Sequence, residues 1–162
     1  MDFTRKGLAD AGFTGFFTIA ELRRGRLREA PTGPGVYIVV REAVERPAFL
    51  DTSTGGWFNG DPTVPRSKLQ EKWVPSTPVI YIGKSDAEKG LQGRLKDFLN
   101  FGAGQNVGHW GGRYTWQVEN SEQFVIAWKL TRSGQTAREM EVELFNEFEQ
   151  AYGRLPFANI NH

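Results

Sequence analysis

Two short runs constrain this chain more than anything else in it: GVYIVV at 35–40 and VIYIG at 79–83. Each is apolar, rich in β-branched residues and bounded by glycine or proline, which is the pattern of a buried strand. Each also carries a tyrosine, Tyr37 in the first and Tyr81 in the second. Residues 41–78 lie between them, with Pro47, Pro62, Pro65, Pro75, Pro78 and a Gly55-Gly56 pair. A connection of that length and irregularity reads as an insertion between two strands, ordered by its own packing. Trp57, Phe58 and Trp73 are the residues expected to pin it to the core.

The rest of the chain fills out an α+β pattern. The N-terminal segment ends in ELRRGRLREA, expected as a short helix with a charged face, and PTGPG at 31–35 breaks it. A helix is expected over about 88–101, where Leu91, Leu95, Phe98 and Leu99 form one apolar stripe and Gly102 supplies the stop. Arg94 falls on the edge of that stripe, in reach of a neighbouring cleft. After the glycine-rich loop FGAGQNVGHWGGR at 101–113, Tyr114–Glu119 alternates as a half-buried strand and is expected to pair as a hairpin with FVIAWKL at 124–130. A final helix is expected over 135–152, ending at Gly153. The expected architecture is a small central antiparallel β-sheet flanked by helices. It forms a single domain over 1–162, with 1–34 as an N-terminal extension and 41–78 as the insertion.

Composition removes several chemistries. The chain has no cysteine, so disulfides, thiolate metal sites and thiol nucleophiles are excluded together. His109 and His162 are its only histidines, too few for a histidine metal cluster. No run approaches the length of a membrane span, and the N-terminus lacks a signal-peptide pattern, so a cytoplasmic protein is the expectation. A formal net charge of +1 shows no basic footprint over the whole chain, although a local patch can act while acids elsewhere cancel the sum.

Two phosphate-binding patterns fail on spacing. IGKS at 82–85 lacks the glycine that a phosphate loop needs five positions before its Gly-Lys pair, because that position is Pro78. GAGQNVG at 102–108 has one residue too many before its last glycine and follows a helix rather than a strand. Glu141 is different. Ala137, Glu141, Leu144, Phe145, Phe148 and Tyr152 share one helix face, which sets a carboxylate within an apolar stripe. Burying it costs several kcal/mol, roughly, unless it is compensated. Either an ion pair with Arg94 or Lys84, or a divalent cation at the bottom of a cleft, would supply the compensation.

GVY at 35–37, YIGK at 81–84, L-x-x-R-L-x-x-F at 91–98, E-x-E-L-F at 141–145 and P-x-x-N at 156–159, taken in that order, resemble the GIY-YIG nucleases. The resemblance runs from about Gly35 to Asn159. Three departures accompany it: GVY stands for GIY, residues 41–78 separate two motifs that lie close together in the family, and Phe98 stands where many members carry a Tyr or His. The resemblance implies hydrolysis of DNA phosphodiesters with one divalent cation, magnesium or manganese, held by Glu141. Arg94 would grip the scissile phosphate through its fork of donors. Tyr37 would deprotonate the attacking water, its pKa lowered by Lys84 and Arg94, and Tyr81 would orient water or phosphate. Gly83 would let the backbone approach substrate, and Asn159 would tie the tail to the catalytic loop. Lys84, His109 and Arg113 are further candidates for contact with the substrate. His109 could take the proton-transfer role that Phe98 cannot, while the loop around His109 and Arg113 reads equally as a turn. The alternative is a catalytically weak or inactive nucleic-acid-binding module on the same scaffold.

Overall fold

In the computed structural model, which describes residues 1–160, four strands form one antiparallel sheet in the order β1-β4-β2-β3. They are β1 (Thr14–Thr18), β2 (Gly35–Val40), β3 (Val79–Ser85) and β4 (Val125–Leu130). The helices are α1 (Arg5–Asp10), α2 (Ile19–Arg23), α3 (Arg66–Lys72), α4 (Gly90–Gly102) and α5 (Ala137–Tyr152). His162 lies outside the described residues. The chain is thus α+β, a four-stranded antiparallel sheet flanked by helices. No helix among the described residues is long and apolar enough to cross a membrane.

β2 is buried along its whole length between β4 and β3, so it is apolar on both faces. Its register sets Tyr37 opposite Gly83 and Val39 opposite Tyr81, and sets Val36 and Ile38 opposite Lys84 and Ile82. Directly opposed residues point to the same face. Tyr37, Val39, Tyr81 and Gly83 therefore share one face, where they join a core with Leu91, Leu95 and Phe98 of α4. Val36, Ile38, Val40 and Ile82 share the other, packed with Leu144, Phe145 and Phe148 of α5 and with Phe3 and Leu8. A register shift between Val39 and Val40 leaves Ile80 as the extra residue of β3.

The ends of the two long helices are specified locally. The first amides of α4 are already taken: Gly90 N–H donates to Asp86 O at 2.9 Å, Leu91 N–H to Gly33 O at 2.9 Å and Gln92 N–H to Pro31 O at 2.8 Å. Gly90 has φ +75°, and a Cβ there would stand 2.0 Å from Thr32 O, so only glycine allows this docking. The Thr136 hydroxyl caps α5 by accepting from Glu139 N–H at 3.1 Å, and Gly153 ends it in the left-handed conformation.

Three expectations are corrected here. Tyr114–Glu119 is not a strand. Trp110–Gln117 winds as a 3₁₀ helix, and Val118 makes only an isolated bridge to Phe49. The backbone partner of this stretch is the 41–78 connection, not β4. Leu50 N–H donates to Gln117 O at 2.8 Å, Thr54 N–H to Trp116 O at 3.1 Å and Glu119 N–H to Ala48 O at 2.9 Å. The buried Gln117 amide also donates to Leu50 O and Val64 O and accepts from Val64 N–H, satisfying connection groups that have no regular ladder. β4 pairs instead with β1, inside the segment expected as an extension.

The expected basic helix near the N-terminus is two pieces, α2 and a 3₁₀ turn at Arg26–Glu29, split at Gly25 with φ +119°. Of the aromatics expected to anchor the connection, Trp73 does so, with its ring 4.9 Å from Phe157 and 6.1 Å from Phe49. Trp57 and Phe58 do not: they face solvent.

Candidate active site

β3 is an edge strand, and its free edge lies between α4 on one sheet face and α5 on the other. Side chains from both helices can therefore meet beyond it. A cleft of about 400 Å³ opens there, walled by Tyr81, Lys84 and Ser85 of β3, Asp86 and Lys89 between β3 and α4, Arg94 and Asp97 of α4, and Glu141 of α5. Lys89 Nζ pairs with Asp97 Oδ2 at 3.1 Å across it. Among the described residues neither Lys84 nor Arg94 is paired with a carboxylate. Arg94 donates instead from Nη1 to the Gly108 carbonyl at 2.5 Å. Glu141 is half-buried, so it stands at the border of the α5 stripe and not within it as expected, while Glu139, Glu143 and Glu147 point to solvent. The lining balances Lys84, Lys89 and Arg94 against Asp86, Asp97 and Glu141, so cationic and anionic groups face one hollow, a setting for a phosphate and a cation together.

Behind Tyr81 lies a closed aromatic layer. Tyr81 stacks parallel on Phe98 with centroids 5.8 Å apart, and Phe98 packs on the His109 ring at 4.8 Å. Tyr37 sits within this layer with no exposure, and its hydroxyl is 2.5 Å from His109 Nε2. Burial, reinforced by the neighbouring Tyr81 phenol, pushes the Tyr37 hydroxyl well above its usual range. Burial likewise pushes Tyr81 up to about 12. This overturns the expectation that cations lower the Tyr37 pKa: Arg94 does act in that direction, but desolvation outweighs it. His109 is pushed down to about 3, by burial first and then by Arg94, so the ring is neutral at physiological pH. With its proton on Nδ1, Nε2 accepts from the Tyr37 hydroxyl, and Nδ1 is left as a buried donor without a hydrogen-bond partner among the described residues.

The site residues expected from sequence thus separate into two groups. Tyr81, Lys84, Arg94 and Glu141 meet at the cleft. Tyr37 and His109 are a buried pair behind it. His109 is 1% exposed, so it faces Tyr37 rather than a substrate phosphate. Gly83 also serves a role different from the expected close approach to substrate. A Cβ on it would stand 2.3 Å from Tyr37 Cζ, so the missing side chain makes room for the phenol ring. Asn159 clamps the β3 edge: its Oδ1 accepts from Ile82 N–H at 2.9 Å and its Nδ2 donates to Ile82 O at 2.8 Å. Arg113 stays apart from the cleft, stacked 4.4 Å over Trp110 and donating to the Trp110 carbonyl.

Asp86, Lys89 and Asp97 went unnoticed in the sequence. Asp97 follows Arg94 by one helical turn, the spacing that puts both on one face, and that signal was legible. Phe98 is part of the expected α4 stripe, and its ring also packs on Tyr81, His109 and Tyr37, while the Tyr81 and His109 rings touch each other with centroids 5.7 Å apart. Comparison with family models, curated proteins and solved structures gave no match for this chain.

Proposed function

We propose that the protein is a divalent-metal-dependent DNA endonuclease of the GIY-YIG type, with residues 41–78 as an insertion in that fold. One observation carries the reading: Tyr81, Lys84, Arg94 and Glu141, widely separated in sequence and drawn from both helical layers, wall a single cleft at the β3 edge. A purely structural domain has little reason to hold around one hollow a carboxylate and two cations that have no carboxylate partner among the described residues.

The donor set fits a hard, hydrated cation. Among the described residues no three of His, Asp and Glu converge into a metal cage. A lone carboxylate completed by water and substrate phosphate suits magnesium or manganese, with Glu141 as the protein ligand. When bound, the ion supplies charge stabilisation for the leaving oxygen. Arg94 and Lys84 hold the phosphate and orient it for in-line attack.

Water activation belongs to the Tyr37–His109 pair. A phenol so firmly protonated is no base by itself. It becomes one by exchange: Tyr37 oxygen takes a proton from water while its own proton passes to His109 Nε2, leaving hydroxide, a neutral phenol and an imidazolium. Substrate phosphate favours this outcome, because it neutralises the Arg94 charge that helps depress His109.

The test is nicking of supercoiled DNA with magnesium or manganese by the parent, Arg94→Ala and Glu141→Ala, each checked for folding. Loss of about 100-fold or more in rate is expected for each variant. Unchanged cutting by folded variants would refute the assignment. The sealed position of Tyr37 favours one second reading, a binding module without turnover. That reading predicts salt-sensitive DNA binding with no metal-dependent cleavage.

A further inference from the structure

The 41–78 connection carries two neighbouring aromatic side chains that cover no core. Trp57 is 62% exposed and Phe58 is 47% exposed. Their loop is not fraying. Trp57 N–H donates to Asn106 Oδ1 at 2.9 Å, and Ser53 N–H donates to the Thr63 hydroxyl at 2.9 Å. A Cβ on Gly55 would stand 2.7 Å from the Phe101 ring, and one on Gly56 would stand 1.9 Å from Gln105 O, so both glycines are pressed against the 101–108 stretch. The exposure belongs to a braced loop.

That loop stands beside the cleft. A Cβ on Gly108 would lie 3.8 Å from Phe58 Cζ, and the Gly108 carbonyl is the group that receives Arg94 at 2.5 Å. Phe58 and the phosphate-gripping guanidinium are thus separated by a single residue. Large exposed aromatics on a rigid loop mark a binding surface when a functional cleft adjoins them. With Arg94 beside them as the phosphate contact of the proposed function, the ligand face that matches exposed aromatic rings is that of a nucleobase. Paired bases keep their faces stacked inside the duplex, so only unpaired bases can use such a surface.

We propose that Trp57 and Phe58 form a stacking platform for unpaired bases of DNA whose backbone passes through the cleft, so that the protein selects DNA with a single-stranded segment next to the held phosphate. This inference rests on the nuclease reading and names the substrate class of the same site.

The test is binding, in EDTA so that nothing is cut, of fluorescent DNA in two forms: a full duplex, and the same duplex with an unpaired flap. The parent is expected to bind the flapped form about tenfold more tightly, the size of one stacked base. Trp57→Ala/Phe58→Ala removes that preference while duplex affinity stays within about twofold, and Trp57→Phe retains it. Equal affinity of the parent for both forms, or a preference that survives the double substitution, overturns the platform but leaves the nuclease reading standing. Failure to bind either DNA overturns both. A parent dimer that becomes monomeric on the double substitution shows a self-association surface and also overturns the platform. Because both side chains face solvent, the double variant is expected to fold, and circular dichroism checks it.

Discussion

Acidification from about pH 7 to about pH 5 should weaken this fold through one side chain, His109. The imidazole is held at about 3 against an ordinary value of 6.5, and the ring is 1% exposed. The depressed value means that the folded state binds fewer protons than the unfolded state between those limits. Stability is therefore full above the unfolded pKa and is lost as pH falls toward the folded one. At about pH 5 the unfolded ring is almost fully protonated and the folded ring is not, which costs about 2 kcal/mol relative to about pH 7. That is a sizeable part of the 5–15 kcal/mol, roughly, that holds a domain of this kind together. The assay is urea unfolding followed by tryptophan fluorescence at several pH values, on the parent and on His109→Gln. The glutamine keeps an acceptor for the Tyr37 hydroxyl but cannot titrate. Carboxylates contribute to the slope of both proteins, so the difference between them isolates the ring. Parallel pH profiles would refute the reasoning, as would an imidazole titrating near its ordinary value in the folded protein by NMR.

Gly83→Ala drives a methyl group into the Tyr37 ring, where a Cβ would stand 2.3 Å from Cζ. The expected cost is about 1–3 kcal/mol by chemical denaturation, and loss of the Tyr37–His109 hydrogen bond should reduce cleavage further than stability alone explains. Asn159→Ala strips the edge of β3 of both partners at Ile82 and should cost about 2 kcal/mol in the same assay. Gln117→Leu leaves Leu50 O, Val64 O and Val64 N–H without their shared partner. Limited proteolysis should then cut within 41–78 several-fold faster while the sheet stays protected, a local opening and not a global one.

What could be read from the residues depended on how each element finds its partner. α4 and α5 carry their instructions locally, in an apolar stripe with a glycine near the C-terminal end, and both lie close to where periodicity places them. β2 and β3 are buried runs bounded by turn signals and were equally legible. The stretch 114–119 misled because its alternation of residue types is not an alternation of burial. Tyr114, Trp116 and Val118 are buried, but so are Thr115 and Gln117 between them. The partner of their backbone, moreover, is the irregular 41–78 connection, and no pattern in 114–119 announces it. β1 was missed for a related reason. It holds a bulge between Gly15 and Phe17, where Gly15 has φ +94° and Phe16 φ +59°, which breaks the alternation that would have marked a strand. At the site, residue types and order named Tyr81, Lys84, Arg94 and Glu141 among the cleft walls and missed Asp86, Lys89 and Asp97. Burial was not legible, and burial is what reversed the expected pKa of Tyr37.

The geometry also explains why an edge strand is the right place for this cleft. Arg94 and Glu141 belong to helices on opposite faces of the sheet, and a central strand would keep them apart by its own thickness and by its neighbours. Beyond the last strand nothing separates them, so the two layers close over one hollow. The cost of that arrangement is an edge with unpaired backbone groups, a liability in any sheet. The tail removes it. Ala158 N–H donates to Ile80 O at 2.8 Å and the Asn159 amide takes both backbone groups of Ile82, so the pairing stops just short of Gly83 and Lys84. The strand is covered where it would otherwise be exposed and left open where the cleft begins. Asn159 is therefore a positioning residue. Its removal should slow catalysis by misplacing Tyr81 and Lys84, and magnesium affinity should change much less than it does on removal of Glu141. If Asn159→Ala and Glu141→Ala weakened magnesium binding equally, the separation between a strand clamp and a cation ligand would fail.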